Sequence, residues 1–181
     1  MRYDVLVLGG GGAGCALAAR LSENPDRAVC LVEAGPDYGD RSEGRWPADI
    51  LDPRWLALES HLWERDDEED RSQARARILG GCSAHNACVL LEGAPSDYDW
   101  GEEWSYEAFA PYLRRAYAAL RGHVLADEEL TPWHRAFRDA GGEDSIVHPV
   151  NILDGVRWHT GFAYVDPARA RENLTLLGDT L

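Results

Sequence analysis

A parallel α/β sheet is the fold this sequence predicts, and three features of its first 33 residues predict it. Residues 3–8 (YDVLVL) are a continuous apolar run of strand length, the pattern of a strand buried on both faces. A glycine run at residues 9–12 follows and opens a helical stripe of apolar residues at Ala13, Ala16, Leu17 and Leu21. Asn24-Pro25-Asp26 then turns the chain, and residues 28–32 (AVCLV) make a second buried strand that ends at Glu33. Strand, glycine turn, helix and strand form a βαβ unit, the seed of a Rossmann-like sheet.

The 181 residues are enough for one domain with a real core. The net charge of −14 argues against a general nucleic-acid binder, which needs a basic face. It leaves a phosphate-bearing cofactor open, because backbone N–H groups hold phosphate without Lys or Arg. No stretch approaches the roughly 20 apolar residues of a membrane span. The opening MRYDVLVLGGGG runs into glycines instead of a cleavage site, so no signal peptide and a cytoplasmic location are expected. Cys15, Cys30, Cys82 and Cys88 lack zinc spacing; no metal site is expected, and all four read as small buried hydrophobes.

Residues 34–72 show little periodicity and read as a long loop with one short helix at most, carrying the acidic run ERDDEED at 64–70, a solvated face. A helix is predicted after Ser105, its N-cap, with Trp104 and Phe109 as a hydrophobic staple. Its stripe is Phe109, Tyr112, Leu113, Ala116, Tyr117 and Leu120, and Gly122 stops it. Pro111 inside the pattern is expected to kink the helix or split off its first turn. Another helix begins at Thr131-Pro132 and ends near Gly141, with Trp133, Ala136, Phe137 and Ala140 expected to pack into the core. Residues 173–181 begin as a further strand whose partners and return connections are expected to be absent from the chain.

Gly9-x-Gly11-x-x-Gly14 sits between the first strand and helix. Gly9 permits the tight turn, Gly11 the approach of a pyrophosphate, and Gly14 close packing of helix on strand. The helix N-terminus presents free N–H groups to a diphosphate. Glu33 lies 19 residues beyond Gly14, near the roughly 20 expected of the acid that binds a ribose 2′-hydroxyl. A carboxylate there disfavours a 2′-phosphate and hence NADP. The motif alone does not separate FAD from NAD.

Residues 74–99 (ARARILGGCSAHNACVLLEGAPSDYD) hold a second glycine motif. Gly80-Gly81 allows another close backbone approach, Cys82-Ser83 can open a short helix, and Asn86 can bond a polar ring edge; a capped loop-to-helix transition is the plainer alternative. The run from Arg77 through Gly80, Gly81 and Ser83 to Asn86 resembles the signature of the glucose–methanol–choline (GMC) oxidoreductases. The opening VLGGGGAGCALAARLSENPDRAVCLVEAGPD, the segment PSDYDWG and the stretch FAYVDPARARENLTLL resemble that family too. The match is weakest over residues 122–151.

The resemblance implies the FAD-binding part of a flavin enzyme, with residues 1–181 as an incomplete Rossmann-like domain cut before the substrate domain. It implies a pyrophosphate at Gly9, Gly11, Gly12, Ala13 and Gly14, and an adenosine ribose at Glu33 and Ala34. It implies a flavin lined by Ala76, Arg77, Gly80, Gly81, Cys82, Ser83, His85, Asn86, Ala87 and Val89. Trp63 resembles a tryptophan that some members place near FAD. His85 resembles the histidine through which choline oxidases attach the flavin 8α-methyl covalently; a hydrogen-bonded histidine is the alternative. Ala87 departs from those oxidases, which carry serine there.

The family's catalytic histidine lies on a later segment, so no residue here is assigned as catalytic. His61, His123, His134, His148 and His159 match no motif and read as surface or loop residues. The expected function is alcohol oxidation by hydride transfer to flavin, with a small alcohol as substrate and a homo-oligomer or a C-terminal continuation as partner. The rivals are a non-catalytic FAD-binding module and an NAD-linked dehydrogenase.

Overall fold

The computed structural model of the protein describes residues 2–58, 60–63, 74–98 and 100–181. The acidic run at 64–70 lies outside the described residues. The chain forms two compact units: residues up to Ala87 with Leu153–Leu181, and Cys88–Ile152.

The first unit is the predicted βαβ and more. Strand β1 (Val5–Leu8), helix α1 (Gly12–Leu21) and strand β2 (Val29–Val32) follow in order. A three-residue 3-10 turn at Arg41–Glu43 and the short helix α2 (Ala48–Leu51) punctuate the loop beyond, in keeping with one short helix there. β2 is central. It pairs in parallel with β1, Val5 opposite Val29, and with the last strand of the chain (Leu174–Leu177), Val29 opposite Leu174. That last strand therefore does find a partner within the chain.

The central place of β2 explains its burial: Val29, Cys30 and Leu31 are all buried. β1 departs from the sequence expectation. It is an edge strand on which Val7 is buried while Leu6 and Leu8 are exposed. Helix α1 also turns differently than its apolar stripe suggests. It buries Cys15, Ala18 and Ala19, and Leu17 faces out. The reason is steric: a helix lying close on a sheet needs small residues underneath. A methyl group on Gly14 would lie 1.8 Å from the Gly9 carbonyl oxygen. The core continues through Ile50, Ile78, Leu79, Phe162 and Val165.

The second unit holds helices α3 (Tyr106–Ala119) and α4 (Pro132–Gly141). Ser105 caps α3 by accepting the Ala108 N–H at 3.4 Å, and Trp104 lies 6.1 Å from Phe109, ring to ring, as the staple requires. α3 runs through Pro111 as one helix; its first turn is not split off. α4 starts as expected, with Thr131 accepting from His134 and Pro132 in the first turn. Its apolar side does not enter a core: Trp133 is 82% and Phe137 76% exposed. After it come β3 (Ile152–Leu153), β4 (Val156–Arg157) and, following a π-helical turn at Gly161–Val165, the third sheet strand, β5 (Leu174–Leu177). Among the described residues no helix is long and apolar enough to cross a membrane.

Candidate functional site

At the C-terminal end of the parallel sheet the first unit holds a cavity of about 430 Å³. This is the place where open α/β sheets bind ligands. Its lining brings together Gly9, Gly11, Glu33, Ala34, Trp63, Ala76 and Gly81, with Leu8, Val32, Thr180 and Leu181 completing the wall. Six residues expected from two separate motifs thus share one cavity with Trp63 from the loop between them.

The two glycine motifs meet backbone to backbone. The Gly80 N–H donates to the Gly10 carbonyl at 2.7 Å. A methyl group on Gly81 would stand 2.7 Å from Gly11 Cα. Gly80 and Gly81 have φ of +98° and +53°, so a side chain at either would also meet backbone strain. Gly12 and Ala13 stand exposed in the first turn of α1, and Gly11 is its N-cap with no side-chain bond. The N–H groups of that turn are the free donors a diphosphate takes.

Glu33 is buried, and its two oxygens accept the N–H groups of Gly10 at 2.6 Å and Gly35 at 2.9 Å. The carboxylate therefore braces the first glycine loop. Each oxygen keeps a further lone pair, so a hydroxyl at the cavity adds to these bonds without displacing them. Gly35, not singled out by the spacing argument, is sterically obligatory: a Cβ there would lie 2.0 Å from the Arg77 carbonyl oxygen. Arg77 Nε donates to the Ala34 carbonyl at 3.0 Å, and its guanidinium lies 5.6 Å from the centroid of the Trp63 ring. Trp63 is tied in by its N–H to the Arg75 carbonyl, and Leu62 bridges antiparallel to Ala76.

The segment after Gly81 forms a 3-10 turn, Gly81–Ala84. Cys82 is exposed there, unlike buried Cys15, Cys30 and Cys88. Ser83 points inward and bonds the Gly80 carbonyl at 2.6 Å. His85 is buried, and its Nδ1 has no hydrogen-bond partner. Burial, with Arg157 and Arg75 nearby, lowers its pKa, so the ring is neutral near pH 7. Asn86 and Ala87 are exposed. Val89 belongs to the second unit, where it bridges Val150, and does not join this cavity's lining.

Two residues to which the sequence reading gave no role lie behind the loops. Arg157 is fully buried and donates to the carbonyls of Ile50 at 2.9 Å, Asp52 at 2.6 Å, Trp55 at 2.7 Å and also Asn86. His159 is no surface residue: it is fully buried between Trp46, at 4.7 Å, and Phe162, at 3.8 Å. Its Nδ1 accepts the Gly161 N–H at 3.1 Å and would stand 2.6 Å from any Cβ on Gly80. Nothing local distinguishes either side chain; only distant packing reveals them.

Burial pushes His159 from 6.5 down to about 3, with Arg157 and Arg169 adding repulsion. The folded state keeps the ring neutral while the unfolded chain protonates below 6.5. Stability is therefore expected to fall as pH drops from 6.5 toward 3, at up to roughly 1.4 kcal/mol per pH unit. Urea midpoints measured across this range check it. His159→Gln should flatten the slope, leaving the part due to His85 and, in the lower part of the range, the part due to Asp37 and Asp52, whose pKa values are lowered in the folded state.

A family model described as "Lycopene cyclase protein" matches residues 4–72, the βαβ unit and the loop after it, and stops before the second glycine motif. Over 97% of its length the chain is 32% identical to an oxygen-dependent choline dehydrogenase of Vibrio vulnificus (strain YJ016), covering 38% of that protein. It is 31% identical to a choline oxidase of Arthrobacter globiformis, covering 97% of this chain and 39% of that one. Among solved structures, pyridoxine 4-oxidase from Mesorbium loti superposes with a TM-score of 0.81 at 29% identity, over 98% of this chain and 42% of the other. A formate oxidase of Aspergillus oryzae shares the fold at TM-score 0.68 and 22% identity, over 98% of this chain and 38% of the other. The chain spans about 38% of the length of the curated relatives it matches. Over that span it is similar to the choline dehydrogenases and choline oxidases.

Proposed function

We propose that this chain is the FAD-binding part of a flavin-dependent oxidoreductase acting on CH–OH donors. The observation that carries the reading is the convergence of both glycine motifs, Glu33 and Trp63 on one cavity. The residues present fit the cofactor. A methyl group on Gly81 would fill the space beside Gly11, where a pyrophosphate needs bare backbone. Glu33 retains acceptor capacity for the adenosine ribose. His85 offers a buried imidazole nitrogen that lacks a partner.

In this reading Gly9, Gly11, Gly12, Ala13 and Gly14 hold the pyrophosphate, and Glu33 and Ala34 the ribose. Trp63 and the segment from Ala76 to Ala87 border the remainder of the cofactor. Bound FAD supplies the acceptor for a hydride from the alcohol carbon. The small alcohol and the groups that deprotonate it belong to the length of the relatives that this chain does not span. The cytoplasm is the compartment we propose, supported by the free thiols of Cys15, Cys30 and Cys82.

Reconstitution with FAD tests this. The chain should retain yellow colour and quench flavin fluorescence after gel filtration; loss of all colour would refute the reading. Acid precipitation then separates the two roles of His85. Colour in the pellet, lost in His85→Ala, means a covalent link; colour left in the supernatant means a hydrogen-bonded histidine.

A further inference from the structure

The segment at residues 157–161 lies behind the second glycine loop, although no motif marks it. Thr160 donates its N–H to Ser83 Oγ at 3.1 Å, and the two hydroxyls lie 2.9 Å apart. Ser83 Oγ donates to the Gly80 carbonyl, which Thr160 Oγ1 also reaches at 3.3 Å. Gly80 in turn donates its N–H to Gly10, and Gly81 abuts Gly11. A continuous chain of bonds thus runs from Thr160 through Ser83 and Gly80 to the first glycine loop. Beneath it, the neutral His159 ring fills the space under Gly80.

Such a brace has work to do. Two consecutive glycines at positive φ lose much conformational freedom on ordering, and nothing in their own side chains holds them there. A half-buried, mutually satisfied hydroxyl pair is rigid, because each bond fixes the next.

We propose that Thr160 is a positioning residue of the cofactor cradle: its hydroxyl and amide lock Ser83 and Gly80, and so hold the second glycine loop at contact distance from the first. This rests on reading that cradle as the FAD pyrophosphate site. Thr160 touches no cofactor itself; it sets the shape in which the cofactor is received.

The test uses the whole chain with Thr160→Val, which keeps the shape and removes the hydroxyl, and Thr160→Ser, which keeps the hydroxyl. Thr160→Val should weaken FAD binding by about tenfold, the loss of one buried hydrogen bond, and Thr160→Ser should restore it. Hydrogen exchange should quicken at the amides of residues 80–83 and stay unchanged in β2. Unaltered FAD affinity with unaltered exchange at 80–83 would overturn the proposal. Equal quickening in β2 would overturn it as well, since that marks general loosening. If the unaltered chain takes up no FAD, the FAD reading fails, and the exchange pattern alone decides whether the brace exists.

Discussion

Gly14→Ala is expected to abolish FAD uptake and to lower the unfolding free energy by more than about 3 kcal/mol, because backbone cannot move aside as a side-chain tip can. The added methyl would meet the Gly9 carbonyl oxygen at 1.8 Å and its carbon at 3.0 Å. Relief requires α1 to lift from β1. That displaces the N–H groups of the first helical turn from the end of the cavity and opens the packing of Cys15, Ala18 and Ala19. Gly12→Ala is the matched control, for a methyl there meets nothing within 4 Å. Its stability should stay within about 1 kcal/mol of the unaltered chain. Urea unfolding of both variants, with flavin fluorescence as the binding readout, checks the contrast. Equal stability for the two would show that the helix does not need its close approach.

Arg157→Met should cost roughly 3–5 kcal/mol, since it removes a buried charged donor from four carbonyls at once. Ile50 and Asp52 stand at the end of α2, Trp55 follows it, and Asn86 closes the segment that carries His85. One planar guanidinium gathers these strands of chain into a single corner. Arg157→Lys should rescue little, because a point charge on a flexible stem cannot reproduce the fork. Denaturation midpoints test this; a lysine variant as stable as arginine would mean that charge alone suffices.

The βαβ unit was legible in the sequence because its signals are local. Strand runs, a glycine turn and the spacing to Glu33 all lie within one short stretch. The second motif was legible through its resemblance to a family, and the cavity then united it with the first. What escaped the sequence is what depends on distant packing. The edge position of β1 follows from the order β1-β2-β5, which no local pattern reports. Helix α1 chose its small residues over its apolar stripe because close approach outweighs the area that Leu17 would bury. Trp133 and Phe137 have the right spacing for a core but have none beside them. Arg157 and His159 read as ordinary loop residues until the fold surrounds them. Spacing put Glu33 at the end of the second strand, where the structure has it lining the cavity, yet its bonds to Gly10 and Gly35 were hidden, since spacing alone does not say where a carboxylate turns.

The most direct test of the central claim, that this unit is built to receive FAD, is a calorimetric titration of the chain with FAD in the presence and absence of excess NAD. One FAD should bind per chain, with its affinity unchanged by NAD. Displacement of FAD by NAD, or no heat with FAD at all, would contradict it.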